Sequence, residues 1–426
     1  MTRSQLRTLS ALTLTAALMT ACGGGGSAAA ADSSSTATPS NPATATTFGC
    51  TTATTVMPNQ SGTALPFCAS LSSDPDGDGL GTEGGQTCQM RTGFDIAAAM
   101  GSGWNLGNTL DATGQTADTL ADETNWGNPR TTQAMIDAVK KAGFGSMRLP
   151  VSWDDHVDTN WTIDKAWLDR VEEVAGYALA DGMYIIVNIH HNGGWEAPTL
   201  ANEARSASVL GKLWPQIAQR FAKYDHHVIF ETMNEPRVSV NGVDDWTGKA
   251  EYYDVLNRLN AVALNAIRAT GGNNQARLVM LPGYAATATA AQTNAVVLPK
   301  DRHIALSVHA YAPYDFALNQ QGSATFSGQA ELDEMFTRLN QKFIQAGTPV
   351  IMGEWASTDK NNLAERVKHA SYFARGARKA GIPAFWWDNG NMTWSATSSD
   401  IMGVIDRKAL TVAKPDIVDA IQCATR

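Results

Sequence analysis

From residue 92 to the C-terminus, short apolar runs alternate with longer stretches whose apolar residues recur every three or four positions. A short run marks a strand and the longer period marks an amphipathic helix, so the chain reads as strand and helix in turn. Strands are expected near 102–107, 145–150, 183–190, 227–234, 277–281, 304–309, 349–354 and 383–388. Helices are expected at 131–142, 165–181, 208–223, 250–270, 330–346 and 362–380, among others. Eight strands wound by helices predict an α/β fold, the (β/α)8 TIM barrel, somewhat longer than the ~250 residues typical of that fold.

Two of these strands end in a way that hydrophobic burial alone does not require. His227 to Pro236 (HVIFETMNEP) runs from an apolar core strand into Asn234 and Glu235 and is closed by Pro236, which has no N–H for the ladder. Pro349 to Trp355 (PVIMGEW) repeats the design, with Gly353 allowing close approach before Glu354. In a parallel barrel the C-terminal ends of the strands surround one pocket. Two glutamates at two such ends suit glycoside hydrolysis, in which one carboxyl protonates the leaving oxygen and the other attacks or activates water.

Seven stretches run in the same order as in a known family: Gly103 to Ala112 (GWNLGNTLDA), Met147 to Trp153 (MRLPVSW), Asn188 to His191 (NIHH), Asn234 to Pro236 (NEP), His309 to Tyr311 (HAY), Gly353 to Trp355 (GEW) and Phe385 to Gly390 (FWWDNG). Over roughly residues 92–424 the chain resembles glycoside hydrolase family 5 enzymes of the bacterial cellulase type. The resemblance implies an endo-β-1,4-glucanase acting with retention through a covalent glycosyl-enzyme, its carboxyl groups about 5–5.5 Å apart. It implies no cofactor and no metal. The same catalytic set serves enzymes acting on xyloglucan, mixed-linkage glucan, mannan or xylan, and distal subsites decide among them. A non-catalytic carbohydrate-binding barrel is the alternative outside enzymes, and it is disfavoured because both glutamates are present.

In this frame Glu235 is the expected general acid/base, with a proton affinity raised by burial and a neighbouring carboxylate, and Glu354 is the nucleophile. Arg148, at the end of an apolar strand, is expected to hydrogen-bond Glu354, since a buried guanidinium demands partners. Asn234 offers an amide to the sugar 2-hydroxyl. His190 and His191 are adjacent and cannot face the same way on a strand. The resemblance makes His190 the subsite residue; His191 is expected either to be packed or to support the site from behind. His309 and Tyr311 share a face, with Tyr311 expected on the nucleophile and His309 near the acid/base. Trp387 is the expected floor for the sugar, with Asn108 as a cleft donor and Trp195 as a platform. Trp104, Trp126, Trp153, Trp355 and Trp394 are further platform candidates, about half of which are expected to touch substrate.

The chain has 426 residues, 43% hydrophobic and 17% charged, with a net charge of −9. An acidic chain without a basic block argues against a nucleic-acid partner, and a neutral glucan needs no charged steering. Arg3 and Arg7 precede an apolar run from Leu9 to Met19, and Leu18 to Cys22 (LMTAC) resembles a bacterial lipoprotein signal. Export and anchoring to the outer membrane through a lipidated Cys22 are therefore expected, with a signal at 1–21 and a Gly/Ser/Ala/Thr tether at 22–48. Residues 49–91 form a small module in which Asp74, Asp76 and Asp78 alternate like calcium ligands, but Gly85 stands where such a loop needs a glutamate, so an ordinary Asp/Gly turn is the expected reading. The catalytic barrel spans 92–426. Four cysteines besides Cys22 imply two disulfides; of three connectivities, Cys68–Cys88 with Cys50–Cys423 is expected. The protein is expected to be a monomer.

Overall fold

The computed structural model describes residues 80–83, 86–89, 91–114, 119–393 and 400–425. Eight parallel strands close into a barrel: β1 (Gly103–Leu106), β2 (Ser146–Leu149), β3 (Tyr184–Asn188), β4 (Val228–Glu231), β5 (Val279–Thr287), β6 (Ile304–His309), β7 (Val350–Trp355) and β8 (Ala384–Asp388). Each pairs with its neighbours in chain order, and β8 pairs back onto β1. The helices that follow are α1 (Gln133–Lys141), α2 (Lys165–Ala180), α3 (Glu203–Phe221), α4 (Ala250–Ala269), α5 (Ala290–Ala295), α6 (Gln329–Leu339), α7 (Leu363–Ala380) and α8 (Pro415–Thr425). This is the (β/α)8 barrel that the apolar pattern predicts.

The differences lie in elements whose sequence carries little periodicity. α3 begins at Glu203, ahead of its first strongly apolar turn, and the six-residue α5 (AAQTNA) shows no stripe at all. β5 runs on to Thr287 because Ala285 and Ala286 adopt left-handed backbone (φ 52° and 49°) and bend the strand without ending it. α6 stops at Leu339 and passes into a π-helical turn, Asn340–Ile344.

Alternation along the strands sorts side chains into two layers. Ile186, Ile229, Met280, Ala305, Ile351 and Phe385 form the core inside the barrel, together with Ile96 and Met100 from and just after the helical turn Gly93–Ala99 that precedes β1. Ile185, Val187, Val228, Phe230, Val279 and Leu281 join the larger layer that includes Leu213, Trp214 and Leu259 of the surrounding helices. Gly103 is required here, since a Cβ would lie 2.2 Å from the Phe385 ring. Nearer the C-terminal ends of the strands the buried residues turn polar: Asn105, Arg148, Asn188, Glu231 and Ser307 are all fully buried. Such groups are tolerated only when hydrogen-bonded, and this layer is the foundation of the site.

The expected signal, the tether, Asp74, Asp76, Asp78, Cys50, Cys68 and Trp394 lie outside the described residues. Cys88 and Cys423 are each disulfide-bonded.

At the opposite end of the barrel a second arginine is buried. Arg277 donates to the carbonyls of Phe221, Tyr224, Asp225 and Val228 and to Asn274 Oδ1, tying the end of α3 to the start of β4. Burial pulls its pKa down to about 9. Replacing Arg277 with Met removes five hydrogen bonds, although Phe221 O keeps the Tyr224 N–H, Asp225 O the Val228 N–H and Tyr224 O the Asn273 amide, and we expect a loss of about 1–3 kcal/mol of unfolding free energy. A urea titration checks this; a loss within 0.5 kcal/mol would assign those carbonyls to water instead.

Candidate active site

The buried polar layer converges on Arg148. Its Nε donates to Glu231 Oε2 at 2.8 Å, Nη1 to Glu354 Oε1 at 2.7 Å and to Asn105 Oδ1 at 3.0 Å, and Nη2 to Asn234 Oδ1 at 2.7 Å. One guanidinium thus fixes side chains that follow or end β1, β4 and β7. Glu231 is its full-strength counterion. Burial alone would raise the Glu231 pKa, but Arg148, then His309 and Ser307, hold it down at about 2. Asn188 Nδ2 and Ser307 Oγ complete its shell.

Glu354 accepts on both oxygens, Oε1 from Arg148 and Oε2 from the Tyr311 hydroxyl at 2.8 Å. Burial and the Glu354 charge push the Tyr311 pKa well above 10, which keeps the phenol a donor. His309 Nδ1 lies 2.9 Å from Glu235 Oε1 and 3.8 Å from Glu354 Oε2, and its Nε2 lies 3.8 Å from Glu231 Oε1. Burial would strip the imidazole of its proton, yet Glu354, Glu231 and Glu235 raise its pKa to about 9. His309 is therefore an imidazolium at neutral pH and donates to Glu235. Gly353 makes room for it, since a Cβ there would meet Nε2 at 2.9 Å.

Glu235 departs from expectation. Burial works to raise its pKa, but the hydrogen bond and charge of His309, followed by Arg237 and Arg148, bring it below the usual glutamate value. These groups hold the acid/base candidate as an anion. A carboxylate oxygen of Glu235 and one of Glu354 lie within 4.8 Å of each other, with a His309 nitrogen inside the same span. Those three groups could geometrically hold a metal ion, which would have to displace the imidazole proton.

A cavity of about 900 Å³ is lined by Asn108, Trp126, Asn128, His191, Trp387 and Asn389 among others. Trp387 lies parallel to the His190 ring, 5.6 Å between centroids and 4° between planes. His190 is held neutral by burial and then by its cationic neighbours. The Asn188 amide faces its Nδ1 at 3.1 Å, which places the proton on Nε2. Asn108 has left-handed backbone (φ 55°), braced by Asp111 and Asn128.

Two expectations are corrected. Trp195 is 1% exposed, with its Nε1 bonded to Asp154 Oδ1 at 2.8 Å, so it supports the cleft wall and offers no open face. His191 is not packed away: its side chain is 44% exposed and lines the cavity, because the chain leaves β3 before it and alternation no longer applies. Trp104, Trp153 and Trp355 are buried in the core, whereas Trp126 lines the cavity. Sequence reasoning missed Glu231, Asn105, Asn188, Ser307 and Arg237. Glu231 was within reach, since it shares inward parity with Ile229.

Comparison with known proteins places this geometry. Residues 110–393 match the family model described as cellulase (glycosyl hydrolase family 5). The chain is 44% identical over 339 residues to Endoglucanase B of Clostridium cellulovorans, covering 77% of this chain and 75% of that protein. It is 44% identical over 335 residues to the Cellulase/esterase CelE of Acetivibrio thermocellus, covering 77% of this chain but spanning only 40% of that protein. Among solved structures it resembles a GH5-4 broad specificity endoglucanase from Ruminococcus champanellensis with bound cellotriose, with a TM-score of 0.75 and 39% identity over 78% of this chain and 98% of that one.

Because Glu231 is one of three anions sustaining the His309 charge, Glu231→Gln should lower the His309 pKa from about 9. An imidazole NMR titration checks the direction, and an unmoved midpoint would show that Glu235 and Glu354 suffice.

Proposed function

The chain belongs to the cellulase family, glycosyl hydrolase family 5, and on that premise we propose that it is an exported endo-β-1,4-glucanase that cleaves internal glucan bonds with retention. The observation that carries the mechanism is the spacing of Glu235 and Glu354, whose oxygens approach within 4.8 Å. That close approach supports the ~5–5.5 Å separation of retaining enzymes over the ~6.5–9.5 Å of inverting ones.

In this reading Glu354, positioned by Arg148 and Tyr311, attacks the anomeric carbon while Glu235 gives its proton to the leaving oxygen. Water then cleaves the glycosyl-enzyme bond, with Glu235 taking the proton back. His309 and Arg237 favour the Glu235 anion, so Glu235 must gain a proton as substrate binds. A neutral glucan covering the mouth expels water and strengthens the burial effect that opposes its charge. Arg148 occupies Asn234 Oδ1, which leaves Nδ2 to donate to the 2-hydroxyl. Trp387, lying parallel to His190, serves as the floor of the sugar at the cleavage point.

A second reading extends the substrate to xyloglucan or mixed-linkage glucan. It is supported by the broad specificity named for the similar Ruminococcus champanellensis structure. The same breadth leaves mannan and xylan as further candidates, and a purely carbohydrate-binding barrel leaves the paired glutamates without a purpose.

The proposal includes a signal at 1–21, a tether at 22–48, a disulfide module at 49–91 with Cys68–Cys88 and Cys50–Cys423, and a barrel at 92–426, displayed as a monomer on the outer membrane through Cys22. Its support is the charged, apolar and LMTAC sequence of the N-terminus. Among the described residues no helix is long and apolar enough to cross a membrane.

On carboxymethylcellulose, Glu235→Gln should lower turnover by about 10²–10⁴-fold, and Glu354→Gln should abolish it with the fold intact. NMR of early products should show the β-anomer first. Substantial turnover in both variants, or initial α-anomer, would end the retaining assignment. Incorporation of labelled palmitate, lost in Cys22→Ala, checks the anchor, and an unlabelled mature chain would refute it.

A further inference from the structure

Just after the acid/base candidate the chain forms a strap that the catalytic account leaves unused. Val238–Val240 pairs antiparallel with Val243–Asp245 across a turn in which Asn241 and Gly242 take positive φ. Such a turn matches the twist of a tight hairpin. The buried Tyr284 hydroxyl accepts from the Val238 N–H and donates to the Asp245 carbonyl, pinning both strands. The strap is therefore a fixed wall.

It nevertheless displays apolar surface to solvent. Trp246 is 49% exposed, Val240 59% and Val243 71%. Arg237 lies 4.3 Å from the centre of the Trp246 ring, donates to Asp244 Oδ2 at 2.7 Å, and reaches Glu235 through its carbonyl at 3.0 Å and its Oε2 at 3.3 Å. One guanidinium thus links an open indole to the acid/base carboxyl. In the closed ring of eight strands β4 stands across from β8, so the strap and the Trp387 floor occupy opposite sides of the mouth. None of the strap residues lines the 900 Å³ cavity beside Trp387. If the sugar that becomes covalently bound rests on Trp387, the sugar that departs leaves toward the strap.

We infer that the strap is the leaving-group subsite, with Trp246 stacking on the departing sugar and Arg237 acting as the positioning residue that ties this platform to Glu235. A flat indole suits the apolar face of a β-linked glucosyl unit, and a cation held on the ring fixes its orientation. This inference rests on the glucanase reading. The groups facing Glu235 are His309 and Tyr311 from β6 and the loop after it, Arg148 from β2, Glu354 from β7, Glu196 from the loop after β3, and Arg237 itself. Of the cations among them, Arg237 is the one carried on the strap.

The test compares cellopentaose with 2,4-dinitrophenyl β-cellobioside, whose leaving group departs without protonation. Trp246→Ala should lower kcat/KM on cellopentaose roughly threefold to tenfold and on the aryl substrate by less. Arg237→Gln removes a positive charge that favours the Glu235 carboxylate, so Glu235 should hold its proton to higher pH. The basic limb of kcat/KM on cellopentaose should move upward, and Arg237→Lys should restore it toward the wild-type position. A purely structural role for Arg237 would lower rates without moving the limb. An active wild type whose variants keep its limb and its substrate ratio would overturn this inference alone. A wild type inactive on both substrates would sink the glucanase reading, and this inference with it.

Discussion

A guanidinium that is fully buried must have every donor answered, because the cost of stranding a charge in a dry interior exceeds what packing returns. Arg148 imposes that demand at the centre of the barrel mouth, and the arrangement around it is the answer. Glu231 balances its charge, Asn105 and Asn234 take further donors, and Glu354 is drawn in as the second anion. The polar layer sits directly above an apolar interior of Ile186, Ile229, Met280, Ile351 and Phe385, which keeps water out and the ion pairs strong. Removing the arginine would leave Glu231 and Glu354 facing each other without compensation.

The same balance decides the state of the neighbouring groups. Around the mouth Glu231, Glu235 and Glu354 are met by Arg148, Arg237 and a protonated His309. His309 carries its charge only because carboxylates surround it; burial by itself would make it neutral, as it does His190 one strand cluster away. Two histidines of similar burial thus hold opposite protonation states. One is placed to donate to Glu235, and the other to stack beside Trp387. The site is a set of ion pairs in which Glu235 is the most exposed carboxylate, at 16%. That is where a substrate that expels water can change a proton's position at least cost.

Much of this was legible in the chain. Eight apolar runs and the intervening amphipathic stretches specify the barrel because strand and helix bury different periodicities. Glu235 and Glu354 stand out because each ends a core strand where packing has no use for a charge. Arg148 stands out for the same reason. The elements that were not legible, α5 among them, are short or weakly striped, and they fold where tertiary contacts cover them. Glu231, the last residue of β4, shares inward parity with Ile229, but a carboxylate there makes sense only once Arg148 arrives from β2.

The sequence by itself determined the fold, the two carboxylates and the family they belong to, because these depend on local periodicity and on motifs read within one strand end. Tertiary structure decided what no single segment contains. It set the charge of His309 and the anionic resting state of Glu235, and it buried Trp195 while exposing His191. Each of these depends on the distance between groups far apart in the chain, and both the strength of a charge and the exposure of a ring are functions of that distance and of the water left between them.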